Sequence, residues 1–263
     1  MPRLRSVKLN DGNEIPMMAF GTGTTHAFDD CSAVVSRALE SGYTHLDCAW
    51  WYKNQSSVAS GIRAVGRSRG DVCITSKAGD YHGEPELFDA EVFLEATLRD
   101  LCTDYVDTYL VGSVSLSSSK LDGLSTESDS YHADILVQQD VTKGWRQMEA
   151  IKKSGRARSI GVSNFSSQSL RTILASCEIP PAIHQVEFHP YSLFHYEASL
   201  LPLCREHHIT IGAFAPLMSL SRRKGGPVDS AVEKVRQERG FAESESQILL
   251  LWAQQASGGI VVW

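Results

Sequence analysis

Asp30-Cys31-Ser32-Ala33-Val34-Val35-Ser36-Arg37-Ala38-Leu39-Glu40-Ser41, followed at once by Gly42-Tyr43-Thr44-His45-Leu46-Asp47-Cys48, is the stretch from which the fold is read. Its first part sets Ala33, Val34, Ala38 and Leu39 at helical spacing on one face, and its second is a short apolar run of strand length. The same alternation extends in both directions. Strands are expected near 17–22, 43–48, 72–76, 105–111, 158–162, 183–188, 209–214 and 259–262, with helical patterns between them, such as Glu91 to Leu101 carrying Val92, Leu94, Ala96 and Leu98. Strands separated by helices form a parallel sheet, because parallel neighbours need a crossover between them. At 263 residues the economical topology is one domain over 1–263, an α/β (β/α)₈ TIM barrel.

Two short runs around the Asp11-Gly12 step, Val7 to Asn10 and Asn13 to Pro16, predict an N-terminal β-hairpin ahead of the barrel. Residues 113–140, rich in serine, and residues 218–228, with Gly225-Gly226-Pro227, read as long loops after the fourth and seventh barrel strands. Both follow the C-terminal ends of strands, where a barrel builds its site, so both are expected to line a substrate. The sequence stops at Trp263 on the eighth strand, which predicts a closed barrel lacking the last outer helix.

A net charge of −6 gives no basic face for phosphate, which excludes a nucleic-acid surface. The run Ser221-Arg222-Arg223-Lys224 reads as a solvated loop, or at most a phosphate clamp. No apolar stretch reaches the roughly 18 residues that span a bilayer, and Met1-Pro2-Arg3-Leu4-Arg5 does not open a signal peptide, so a soluble, cytoplasmic protein is expected. The six cysteines form no C-x-x-C pair, and His184 with His189 lacks a third ligand nearby, so no metal site is expected.

Gly42-Tyr43-Thr44-His45-Leu46-Asp47-Cys48-Ala49-Trp50-Trp51-Tyr52, with Asp and Tyr five apart, resembles the second-strand signature of the aldo-keto reductases. Asp104-Tyr105-Val106-Asp107-Thr108-Tyr109-Leu110 is similar to the family's fourth-strand motif. Arg158-Ser159-Ile160-Gly161-Val162-Ser163-Asn164-Phe165 and His184-Gln185-Val186-Glu187-Phe188-His189-Pro190-Tyr191 resemble strands five and six. The resemblance implies hydride transfer from NADPH to a carbonyl with a tyrosine as general acid. Tyr52 takes that role, Lys77 stands beside it, and Asp47 holds the lysine charged and oriented. A free phenol near pKa 10 donates sluggishly at neutral pH, and an ammonium nearby stabilises its anion. The resemblance also places Gly21, Thr22 and Thr24 at the first-strand turn near the cofactor. Ser163, Asn164 and Gln185 fall on the nicotinamide carboxamide, and Phe214 where a tyrosine usually stacks on the ring. Trp50, Trp51 and Ser113 are expected to line the substrate pocket.

Two departures from the family pattern bear on function. The register Tyr109-Leu110-Val111-Gly112 puts Gly112 where the family has a histidine that hydrogen-bonds the substrate carbonyl. A positioned acid/base group contributes roughly 10²–10⁴ in rate, so carbonyl reduction should be depressed. The family's Lys, Ser and Arg that grip the 2′-phosphate follow the eighth strand, beyond Trp263. Losing two such hydrogen bonds, at about 1.5–3 kcal/mol each, would weaken NADPH by roughly 10²–10⁴-fold. The expectation is therefore a divergent member with an impaired NADPH site and no required cofactor. Tyr52 would serve acid/base chemistry on a carbonyl-bearing small molecule of specialised metabolism: a cyclisation, isomerisation or dehydration. An NADPH-dependent carbonyl reductase and a non-catalytic partner of a biosynthetic enzyme are the alternatives.

Overall fold

A computed structural model describes residues 5–79, 88–112 and 141–263. The chain opens with an antiparallel hairpin, β1 (Ser6–Lys8) and β2 (Glu14–Pro16), in register Val7 opposite Ile15. Gly12 supplies the positive φ of 88° that its turn needs.

Eight further strands close a parallel barrel: β3 (Met18–Gly21), β4 (His45–Asp47), β5 (Cys73–Ala78), β6 (Val106–Gly112), β7 (Ala157–Ser163), β8 (Ile183–Glu187), β9 (Thr210–Phe214) and β10 (Ile260–Val262). They run in sequence order around the barrel, and β10 pairs back to β3 through Val261 opposite Met18 and Val262 opposite Ala19. Each strand expected from the sequence is present, with ends shifted by at most two residues.

Helices α1 (Ser32–Glu40), α2 (Gln55–Ala64), α3 (Ala90–Leu101), α4 (Val141–Lys153) and α5 (Ser167–Leu174) follow β3 to β7 in turn. The pair α6 (Leu193–Glu197) and α7 (Leu200–Glu206) follows β8. After β9 come α8 (Met218–Arg222), α9 (Pro227–Glu238) and α10 (Glu245–Ser257). The stretch 218–228, expected as a loop, thus holds α8 and the first turn of α9. Pro227 sits at the start of α9, where its missing N–H costs nothing, so it marks a helix beginning and not a loop. The expected loop at 113–140 lies outside the described residues. β10 is followed by Trp263, and the 263 residues hold no helix after it.

Alternation along each strand divides the core in two. Val35, Leu39, Leu94, Met148, Ile151 and Leu203 belong to the cluster between helices and sheet. Ala19, Leu110, Ile183, Ile260 and Val262 fill the barrel interior together with Leu9 and Ile15 of the hairpin, which plug the end where the strands begin. With that end stoppered, the opposite rim, at the strands' C-terminal ends, is left to carry side chains that face a ligand.

Candidate active site

Asp47 ends β4 and Lys77 stands near the end of β5, both on the barrel's inner face and both buried. The Lys77 ammonium forms an ion pair with Asp47 Oδ1 and donates to the Cys48 carbonyl at 2.9 Å. The other carboxylate oxygen of Asp47 accepts from Gln185 Nε2 of β8 at 2.7 Å. Two charges taken out of water cost several kcal/mol unless each is paired and hydrogen-bonded, and here both oxygens and the ammonium are engaged. Burial pushes the neighbouring Cys48 thiol up to about 12, despite pulls in the other direction from Thr22 and Lys77, so Cys48 stays neutral. Below Asp47, burial holds the His45 imidazole below its ordinary value, against the Pro16 carbonyl and the Asp47 charge. Its Nδ1 donates to the Pro16 carbonyl at 3.0 Å, which leaves Nε2 to accept from the Thr75 hydroxyl at 2.8 Å.

Tyr52 ends a short 3₁₀ turn, Trp50–Tyr52, that rises from the rim after β4. Its ring centroid lies 5.3 Å from Lys77 Nζ, within reach of a cation–π attraction. Thr22 ties the loop after β3 to this corner, donating from its backbone N–H (2.9 Å) and its hydroxyl (3.1 Å) to the Asp47 carbonyl. Gly21 pairs with Asp47 in the sheet, whereas Thr24 stands on the exposed turn.

The next three strands complete the rim. Ser163 ends β7 and is paired with Gln185 on one side and Gly112 on the other. Asn164 takes a left-handed φ of 58° and donates its N–H to the Gln185 carbonyl at 2.8 Å. His184 fixes this turn from behind, accepting the Phe165 N–H on Nε2 at 3.1 Å. The sequence reading missed that contact, and missed Gln185 as the partner of Asp47. Phe214 ends β9, half-buried. Gly112 ends β6, and among the described residues a Cβ there would meet only the Ala78 carbonyl, at 3.6 Å.

The aromatic residues beside Tyr52 divide. Trp51 meets Phe28 edge-on at 5.7 Å, while Trp50 packs edge-on against Phe93 of α3 at 4.8 Å and carries the Lys53 ammonium on its ring. Ser113 lies outside the described residues. Among the described residues no three His, Cys, Asp or Glu side chains converge as a metal site would require, and no helix is long and apolar enough to cross a membrane.

Asp47, Lys77, Ser163 and Gln185 from four strands, and Tyr52 from the turn after β4, thus come together at one barrel mouth. A buried acid–ammonium pair beside a phenol defines the class: a TIM-barrel protein with titratable groups gathered at its C-terminal rim. The sequence profile of the Aldo/keto reductase family matches residues 17–257, and the chain belongs to that family. It is 32% identical over 259 residues to aldo-keto reductase family 1 member A1 of Xenopus tropicalis, covering 94% of this chain and 76% of that protein. It is 32% identical over 264 residues to a glycerol 2-dehydrogenase (NADP(+)) of Hypocrea jecorina, covering 94% of this chain and 80% of that one. The structure superposes on Bombyx mori aldo-keto reductase in complex with NADP with a TM-score of 0.76 at 25% identity, covering all of this chain and 84% of that one.

The expectation that no cofactor is required finds no support in these relatives, one named for NADP(+) and one solved with NADP. The donor set here also fits the nicotinamide end of that group. A hydroxyl and two amides, Ser163, Asn164 and Gln185, sit side by side, two of them buried, as recognition of a carboxamide requires. Among the described residues, the Ser219 hydroxyl of α8 is fully buried and has no hydrogen-bond partner.

Proposed function

We propose that the protein reduces the carbonyl group of a small molecule with NADPH. The observation that carries this is the Asp47–Lys77 pair, locked by Gln185 and set 5.3 Å from the Tyr52 ring. When bound, NADPH supplies the hydride to the carbonyl carbon. Tyr52 gives its phenolic proton to the carbonyl oxygen as negative charge develops there. Lys77 stabilises the phenolate left behind, and Asp47 keeps the lysine charged and aimed. Ser163, Asn164 and Gln185 orient the carboxamide, and Phe214 offers its aromatic face to the ring. Gly112 provides no donor for the carbonyl but leaves room, which suits a bulky substrate such as a specialised metabolite.

That same glycine favours a second reading, in which Tyr52 moves protons in a cyclisation, isomerisation or dehydration without hydride transfer. One experiment separates them: NADPH is titrated while protein fluorescence is followed, and dihydroxyacetone and bulkier ketones are then offered. Quenching with a Kd in the low micromolar range, about −8 kcal/mol, and NADPH oxidation abolished in Tyr52→Phe are expected. No binding at millimolar NADPH, with Tyr52-dependent product formed in its absence, would leave only the second reading.

A further inference from the structure

We propose that Gly23 is a positioning residue for Tyr52, its bare α-carbon leaving the space in which the phenol sits beside Lys77. This rests on the reading of Tyr52 as proton donor. A Cβ at residue 23 would fall 2.6 Å from the Tyr52 Cζ, 2.8 Å from Cε2 and 2.8 Å from the hydroxyl oxygen. All three are closer than non-bonded carbon and oxygen tolerate. The backbone at Gly23 is extended, φ −88° and ψ −164°, a conformation open to any residue. The requirement for glycine is therefore one of space and not of dihedral angle.

Which partner would yield to an added methyl follows from how each side is held. The loop around Gly23 is sewn to the segment that carries Tyr52. Thr22 donates to the Asp47 carbonyl, and Asn54 Nδ2 donates to the carbonyls of Thr22 at 2.7 Å and His26 at 2.8 Å. The Phe28 N–H donates to the Tyr52 carbonyl at 2.8 Å, with Phe28 itself at a left-handed φ of 69°. Lys77 is fixed by Asp47 and by the Cys48 carbonyl. The outer end of the Tyr52 ring, turning about two side-chain torsions, is the part that swings. Gly23 and the lysine thus bracket the phenol, and filling one side drives it off its place. A displacement of about 1 Å in a proton donor costs on the order of 10²-fold in turnover.

The test compares wild type, Gly23→Ala, Tyr52→Phe and the Gly23→Ala/Tyr52→Phe double variant, with crystal structures of the first two. Expected are an unchanged melting temperature and NADPH affinity for Gly23→Ala, kcat lowered by about 10²-fold with far less change in KM, and a visibly displaced Tyr52 ring. The double variant should be no slower than Tyr52→Phe alone, because the alanine acts only through the hydroxyl. Turnover of Gly23→Ala within about twofold of wild type, or a Tyr52 ring that has not moved, overturns the proposal. Should wild type reduce no carbonyl at all, the reductase reading fails by itself. The pair of crystal structures then decides this point: a displaced ring upholds it and an unmoved ring overturns it.

Discussion

Gly112 is the residue whose replacement tells the two functional readings apart. It ends β6, beside Ser163 on β7, and among the described residues a Cβ there would meet only the Ala78 carbonyl. At 3.6 Å that contact is ordinary, and the imidazole of a histidine placed there would add a hydrogen-bond donor at the mouth that holds Tyr52 and Lys77. For a chain that binds NADPH, Gly112→His is expected to raise kcat/KM for small aldehydes by roughly 10- to 10²-fold, part of what a positioned acid/base group supplies. It should lower kcat/KM for bulky ketones, whose room it takes. A chain acting by proton transfer alone gains no aldehyde reduction from the change, and steady-state kinetics with both substrate sizes reads the difference.

Elements place these residues, and elements were the level most legible in the sequence. A strand buried on both faces reads as a short unbroken apolar run, as Ile260-Val261-Val262 does, and its neighbours β3 and β9 read largely the same way. What stayed hidden was long-range. The Gln185–Asp47 bond joins residues 138 apart, and Tyr52 meets Gly23 across a turn whose shape no local pattern specifies. The stretch 218–228 misled because Gly225-Gly226-Pro227 carries the same residues as a loop and a helix start. The start of α10 is clearer: Ser244-Glu245-Ser246-Gln247 is a capping box. The Ser244 hydroxyl accepts the Gln247 N–H at 3.2 Å, and Gln247 Oε1 accepts the Ser244 N–H at 2.8 Å. This helix buries Leu249 and Ala253 and stacks Trp252 on Phe188 at 5.6 Å, just past the end of β8. Ser244→Ala is expected to cost about 1 kcal/mol, roughly 2 to 4 °C in melting temperature, whereas Ser244→Asp keeps the cap and the stability. Equal melting of the two variants would mean that the cap contributes nothing.

At the scale of the whole molecule, the hairpin β1–β2 acts as a stopper for one end of the barrel. The hairpin puts Leu9 and Ile15 inside the barrel, and polar bonds hold its turn to the staves. Asn10 Nδ2 donates to the Pro181 carbonyl at 2.9 Å, Asn13 Nδ2 to the Arg158 carbonyl at 2.9 Å, and Lys152 of α4 to Asp11 Oδ2 at 2.7 Å. Burial works to raise the Asp11 pKa, but hydrogen bonds from Lys152, Ser159 and the Asn13 N–H outweigh it and leave the carboxyl below its ordinary value of 3.8. A carboxyl with a lowered folded-state pKa contributes stability that is fully present above its unfolded value and is lost as pH falls through the folded one. Asp11→Asn isolates that contribution, since Asn before Gly12 suits the hairpin turn as well as Asp does. At pH 7 the variant is expected to be less stable by about 1 kcal/mol, the usual scale for a partly screened pair. Below pH 3.8 the gap should narrow, closing once Asp11 is protonated in the folded wild type as well. Urea melts of both chains at pH 7 and in acid measure it. A gap that stays constant into acid would locate the loss in hydrogen-bond geometry and leave the charge of Asp11 without effect on how firmly the hairpin closes the barrel.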